Sequence, residues 1–292
     1  MKRDLLLFTG FGFLGLNLIK NLKNKKYKIK IFGKKKKFLF KIKFSKSINY
    51  VKGDFFNLRK LNNIKISNST IILTTLNNKN KNFIKNFKKF VEYLSKKNPK
   101  KVILISSVGV YGNNKKGKIS ILNQYAKNSF EAENVCKKNF ENLIILRAAN
   151  IFGVLRPKPG LVEKVTLQYL NIKRFNFFKY ETLRTYISVD EFCKILKIFI
   201  NIKTKNSIKT YNISNNKLVF RLSEILKLYE NFYNRKINVL RNNKTPKIKV
   251  SNIKCSKLPK KFKFITLKSF FNEIKKLDKF YKNCMMKKKI II

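Results

Sequence analysis

Residues 5–19 read Leu-Leu-Leu-Phe-Thr-Gly-Phe-Gly-Phe-Leu-Gly-Leu-Asn-Leu-Ile, a short apolar run, a glycine turn, and then apolar residues at a new spacing. Leu5 to Phe8 has the unbroken hydrophobicity of a strand buried on both faces. Leu16, Leu18, Ile19 and Leu22 recur as one face of a helix does. Between them, Gly10, Gly12 and Gly15 form G-x-G-x-x-G. After a strand and before a helix, such glycines build a dinucleotide cradle: the first makes the tight turn, the second admits a pyrophosphate to the backbone, and the third lets helix and strand pack closely. The helix N-terminus then meets the phosphates with unpaired N–H groups and a partial positive charge. Lys2 and Arg3 before the run also match the layout of a secretory signal. No small-residue cleavage site follows, three glycines suit a signal helix poorly, and another strand-like segment begins almost at once.

That segment, Tyr27 to Phe32, alternates Tyr-Lys-Ile-Lys-Ile-Phe, as a second strand with one buried face does. An acid that accepts hydrogen bonds from the ribose is expected about 20 residues past the glycines. Gly33 stands there instead, with Lys34 next. With no carboxylate to repel a 2′-phosphate, the site favours NADP over NAD, while Lys35 to Lys37 read equally well as a solvated turn. Asn49 to Val51 leads into Gly53-Asp54-Phe55. Ser69 to Thr75 reads as a buried strand, residues 82–97 as an amphipathic helix closed by Pro99, and Lys101 to Ile105 as a strand ending in Ser106-Ser107. This alternation predicts an α/β fold, a Rossmann-type doubly wound parallel sheet over residues 1–155. The loop Arg156-Pro157-Lys158-Pro159-Gly160 cannot propagate helix. It opens a smaller C-terminal substrate-binding region, residues 156–292, of which segments around 184–200 pack back on the first domain. In that region Leu161 to Leu170 and Leu222 to Tyr233 read as helices, and Asn234 to Leu240 as a strand.

The net charge of +55 over 292 residues would ordinarily point to nucleic acid or an anionic membrane. Of the 69 basic residues nine are Arg, leaving 60 Lys, spread along the chain beside abundant Asn, Ile and Phe. These four residue types share A/T-rich codons, so base composition accounts for the charge without a phosphate-binding role. A dedicated binder concentrates Arg on one face. No specific nucleic-acid partner is therefore expected, and no run is long enough to span a membrane. There is no His, which removes the commonest metal ligand and acid/base residue. Cys136, Cys193, Cys255 and Cys284 lie far apart with no C-x-x-C pair, so neither zinc nor a redox motif is indicated and a reducing cytoplasm fits.

At residues 102–112 the chain reads Val-Ile-Leu-Ile-Ser-Ser-Val-Gly-Val-Tyr-Gly, and from here it resembles the extended short-chain dehydrogenase/reductases, specifically the nucleotide-sugar epimerase/dehydratase family. Thr9 to Gly15 resembles the family's T-G-x-x-G-x-x-G, one residue shorter. Gly53-Asp54 matches its adenine-contacting pair, followed by Phe55, and Asn82 the asparagine that opens the helix before the catalytic strand. Ser107 falls on the catalytic Ser/Thr. Tyr125, in residues 125–133, matches the catalytic Tyr of Y-x-x-x-K-x-x-x-E. Leu146 to Gly153 resembles L-R-x-x-N-x-Y-G, Arg184 to Glu191 resembles R-D-F-I-H-V-D-D, and Tyr211 to Ser214 resembles Y-N-I-G. Leu258 to Leu277 has the look of the closing helix region. The resemblance covers nearly the whole chain.

It implies an NAD(P)-dependent epimerase, dehydratase or reductase of a nucleotide-activated sugar, with NADP or NAD as cofactor and a homodimer left open. It assigns Ser107 and Tyr125 to catalysis and Thr9, Gly10, Gly12, Gly15, Lys34, Asp54, Phe55 and Asn82 to the cofactor. Asn150 and Arg184 fall to the sugar nucleotide. A tyrosine, with an ordinary pKa of about 10, trades protons near neutrality only beside positive charge, which the family draws from the nicotinamide and from a lysine four residues on. Here that place holds Ser129. Lys127, about 200° around the helix from Tyr125, is expected to point away. A relative that binds without turnover is the alternative, and a polybasic nucleic-acid binder a third reading.

Overall fold

The computed structural model describes residues 3–9, 12–22, 26–33, 48–53, 57–62, 64–74, 82–114, 117–178, 182–204, 206–242 and 250–286. Strand and helix alternate through β1 (Arg3–Phe8), α1 (Phe13–Leu22), β2 (Tyr27–Gly33), β3 (Ile48–Lys52), β4 (Thr70–Leu73), α2 (Phe83–Ser95), β5 (Lys101–Ser107), α3 (Gln124–Asn139), β6 (Leu143–Ala148) and β7 (Asn150–Phe152). The chain continues through α4 (Leu161–Tyr169), β8 (Asn176–Phe178), β9 (Leu183–Ser188), α5 (Val189–Asn201), β10 (Ile208–Ile213), β11 (Asn215–Phe220), α6 (Leu222–Tyr233), β12 (Leu240–Asn242), β13 (Val250–Ser251) and α7 (Leu267–Met286).

Seven strands form one sheet in the order β10-β6-β5-β4-β1-β2-β3, every neighbouring pair parallel. Successive side chains along a strand point to opposite faces, so the apolar strands supply two cores at once. On one face Leu5, Leu7, Ile29, Ile31, Ile72, Ile103 and Ile144 pack with Leu18 and Ile19 of α1 and Phe192, Leu196 and Phe199 of α5. On the other, Leu6, Phe8, Ile71, Leu73, Val102 and Leu104 pack with Phe83, Phe87 and Phe90 of α2 and Ala132 and Cys136 of α3. Helices on both faces of a parallel sheet are what a doubly wound chain requires. Residues 189–200 therefore pack on the same face as α1. At the far end of the sheet, the buried Lys101 ammonium donates to the carbonyls of Phe199, Ile200 and Ile202 at 2.7, 3.0 and 2.8 Å, satisfying carbonyls at the C-terminal end of α5 that have no partner within the helix.

A third core joins α4, α6 and α7 to β9 and β11, with Phe152, Tyr186, Phe220 and Phe270 in mutual ring contact. Here the sequence reading needs two corrections. Residues 235–239 form no strand; Ile237 and Val239 alternate because they pack against this core, and only Leu240 to Asn242 finds a ladder partner, in β8. Residues 258–266 are irregular as well. α7 starts at Leu267 and runs on to Met286, its first turn following Thr266, whose hydroxyl accepts from Ser269 N at 3.3 Å.

Candidate active site

In a doubly wound sheet, ligands sit outside the carboxyl ends of the strands where the strand order reverses. Here the reversal falls between β1 and β4. A cleft of about 350 Å³ opens at that end, lined by Phe13 and Leu14 after β1, Thr74 after β4, Ser106 and Ser107 of β5, Ala148 of β6, Tyr125 of α3, and residues 149–151 and 156 beyond β6.

Ser107 ends β5 in extended geometry, and its Oγ accepts from Gly109 N at 3.0 Å. That contact leaves the hydroxyl proton free to donate. Tyr125 lies in the first turn of α3, which Asn123 caps by accepting from Ala126 N at 2.8 Å. The Tyr125 ring remains 37 % exposed. A Cβ at Gly109 would lie 3.2 Å from Ser107 Oγ and 3.8 Å from Tyr125 Cε1, so the serine hydroxyl and the tyrosine ring flank the same small residue. Asn150 lines the cleft too, held by a 3.0 Å bond from its Nδ2 to Thr185 O.

Ser129 does not line this cleft. Its side chain is fully buried, and its hydroxyl donates to Tyr125 O at 2.8 Å, the back-bond typical of a helical serine. Lys127 is exposed and pairs with Glu131 at 3.9 Å, turned away as its spacing requires. Arg184 also lies elsewhere: it lines a second cavity of about 290 Å³ with Gly160, Leu161, Lys164, Asn176 and Phe178. Of the cofactor candidates, Thr9 follows β1, Gly12 O accepts the bond from Leu16 N that opens α1, Gly15 is buried inside α1, and Asn82 precedes α2. Gly10, Lys34, Asp54 and Phe55 lie outside the described residues.

The sequence assigns no role to two features of the site, although Glu133, Arg147, Tyr111 and Asn212 all sit in its motifs. Beneath the cleft, buried Glu133 accepts from Ser106 Oγ at 2.5 Å and from Arg147 Nη2 at 2.6 Å. Arg147 Nη1 reaches Tyr111 OH at 2.7 Å, and that hydroxyl donates to Asn212 Oδ1 at 2.7 Å. Burial alone would lower the Arg147 pKa, but the bond and charge of Glu133, with Tyr111, hold it above its ordinary value. The second feature is Arg156, which enters the cleft from the loop between β7 and α4.

The residues at the cleft fit a dinucleotide. α1 carries no acid in its first turn, a Cβ at Gly12 would meet, among the described residues, only Thr9 O, at 3.9 Å, and the buried Thr74 Oγ1 has no hydrogen-bond partner among them. A family model described as NAD(P)H-binding matches residues 10–157. No curated protein sequence matches the chain. Among solved structures, the UDP-glucose 4-epimerase of Thermotoga maritima with UDP-glucose superposes with a TM-score of 0.80 at 16 % identity, covering 97 % of this chain and 99 % of that one. A UDP-N-acetylglucosamine 4-epimerase from Methanobrevibacter ruminantium M1, in complex with UDP-N-acetylmuramic acid, gives 0.77 at 20 %, over 97 % and 99 % of the two chains. MoeE5 in complex with UDP-glucose and NAD gives 0.77 at 13 %, with the same coverage. At such identities the likeness is one of fold. Among the described residues no helix is long and apolar enough to cross a membrane, and no cluster of acids and cysteines could hold a metal ion.

Proposed function

This chain belongs to the NAD(P)H-binding family, and we propose that it is an NAD(P)-dependent epimerase, dehydratase or reductase of a nucleotide-activated sugar. The observation that carries the reading is the meeting of Ser107, Tyr125 and Asn150 in one cleft at the carboxyl end of the sheet, beside the first turn of α1. In this reading the glycine turn and Thr9 hold the dinucleotide, which when bound takes up and returns a hydride. Tyr125 OH exchanges a proton with a sugar hydroxyl. Ser107 Oγ donates to the same oxygen and keeps it in line for transfer. Asn150 meets the substrate, and Arg184 in the second cavity grips its phosphate in bidentate fashion. The neighbours' ligands, UDP-glucose, UDP-N-acetylmuramic acid and NAD, belong to the same chemical class. A thermal-shift screen with NAD(H), NADP(H), UDP- and dTDP-sugars and DNA tests the reading. Stabilisation by the nucleotides is expected, and stabilisation by DNA alone would overturn it.

A second reading rests on Ser129: with a buried hydroxyl turned to Tyr125 O where the family has lysine, the chain binds these nucleotides without turning them over. Ser129→Lys separates the two, since it places an ammonium one helical turn from Tyr125. Turnover is expected to rise in the variant. An active parent that the substitution leaves unchanged would show that another cation already serves.

For the cofactor, NADP(H) is expected to bind at least as tightly as NAD(H). Gly33 ends β2, with its carbonyl accepting from Tyr50 OH at 2.8 Å, and itself brings no carboxylate to oppose a 2′-phosphate. Titration of both cofactors before and after Gly33→Asp with Lys34→Ala should move the preference toward NAD(H). A clear preference for NAD(H) in the unmodified chain would sink the idea.

A further inference from the structure

Among the described residues, Arg156 is the one charged side chain lining the cleft that holds Ser107 and Tyr125, and the fold fixes it on several sides. Its Nε donates to Lys158 O at 3.0 Å, and its Nη1 donates to Ile151 O and lies 3.6 Å from Glu163 Oε1. The Glu163 side chain is wholly buried and also accepts from Gly153 N at 2.9 Å. Gly153 has φ +147°, and a Cβ there would lie 2.5 Å from Val189 Cγ1, so only glycine makes this turn. Gly160 leaves room for the pair, because a Cβ would lie 2.8 Å from Glu163 Oε2 and 3.0 Å from Arg156 Cζ. The guanidinium rests over the ring of Phe13, the first residue of α1, 4.9 Å from its centroid. Asn17 Nδ2 pins the loop to that same turn by donating to Phe13 O and Val154 O at 3.0 and 2.9 Å. Arg156 Nη2 carries no hydrogen bond among the described residues, and the side chain is 30 % exposed.

A guanidinium held in place by two backbone carbonyls and a buried carboxylate, with one amino group left for the cleft, is built to receive an anion, because its planar fork is ordered before the ligand arrives. Its place against the first turn of α1 selects a phosphate, since the free N–H groups of that turn favour the same charge. We propose that Arg156 binds the diphosphate of a nucleotide in this cleft, either the dinucleotide's or the sugar nucleotide's. The inference rests on the function proposed above and adds to it a residue outside every motif that suggested it. It also returns a positive charge to the cleft from which Ser129 removes the family's lysine.

The test is titration with NADH and, separately, with UDP at one fixed salt concentration, on the parent, Arg156→Gln, Arg156→Lys and Lys158→Gln. Losing a charged hydrogen bond to phosphate is expected to weaken binding about tenfold or more in Arg156→Gln, with Arg156→Lys in between. Weakening of NADH assigns the contact to the dinucleotide, and weakening of UDP assigns it to the sugar nucleotide. Lys158→Gln removes an equal charge from an exposed neighbour and should change neither. An Arg156→Gln protein that binds both like the parent overturns the proposal and leaves the function standing, as does an equal loss in Lys158→Gln, which would mean bulk charge. A parent that binds neither nucleotide overturns the function, and this proposal with it. Should Arg156→Gln not fold, labelling of the unmodified chain with phenylglyoxal decides: NADH or UDP should protect Arg156 while exposed Arg59 stays reactive. Undiminished labelling of Arg156 with the nucleotide bound would overturn the assignment.

Discussion

Tyr125→Phe is expected to lower turnover of the nucleotide sugar proposed as substrate by at least about 100-fold, the usual scale for losing a positioned acid/base group, while NAD(P)H binding stays close to the parent's. The substitution keeps the ring beside Gly109 and Ser107 and removes only the hydroxyl. In the proposed function the dinucleotide phosphates lie at the first turn of α1, so that deletion should leave them unaffected. A deficit in turnover with intact binding therefore assigns the proton transfer to this residue. The ring is also 37 % exposed, so folding should hardly change, and thermal unfolding of the variant checks that. Full turnover by Tyr125→Phe would show that the family's chemistry does not reside here. Ser107→Ala should act in the same direction but less strongly, because the role proposed for the serine is to orient the substrate oxygen without itself carrying its proton away.

The parts of the molecule that could be read in advance are those whose physics is local. A buried strand, a glycine turn and an amphipathic helix each write their own period. β1, α1, β2, α2 and β5 accordingly lie within a few residues of where the apolar pattern puts them, and their order fixes a parallel sheet. Ser107, Tyr125 and Asn150 were legible for another reason: each ends or begins a regular element and sits in a spaced motif. What the pattern does not carry is long-range. Alternation at Ile237 and Val239 looked like a strand, yet burial against α4, α6 and α7 produces the same pattern without a ladder. The separation of Arg184 from Ser107 and Tyr125 into another cavity depends on how β9 packs, which no spacing records. Arg156 sat in a loop known only for its prolines. Its role emerges once Glu163, Gly160 and Phe13 surround it.

Glu133 and Arg147 each stand in a motif of the sequence, but no spacing says that they pair, and the pair carries the second large expectation. Glu133 stands about two helical turns beyond Tyr125 on α3, and its carboxylate receives Ser106, the neighbour of Ser107, together with two nitrogens of Arg147 from β6. Through Arg147 the network continues to Tyr111 and to Asn212 of β10. α3 is thereby tied to three strands just below the two candidate catalytic groups. Glu133→Met should cost about 3–5 kcal/mol in urea unfolding, because it strands a buried guanidinium with no counter-charge. Arg147→Met should cost a comparable amount by stranding the carboxylate. Their combination is expected to cost less than the sum of the two, since an apolar pair leaves no charge behind. If the double variant loses as much as the two single variants added together, the two side chains are not coupled and each stabilises through its other contacts. If Glu133→Met loses under about 1 kcal/mol, water must already reach Arg147, and the network is not the clamp that sets Ser107 against Tyr125.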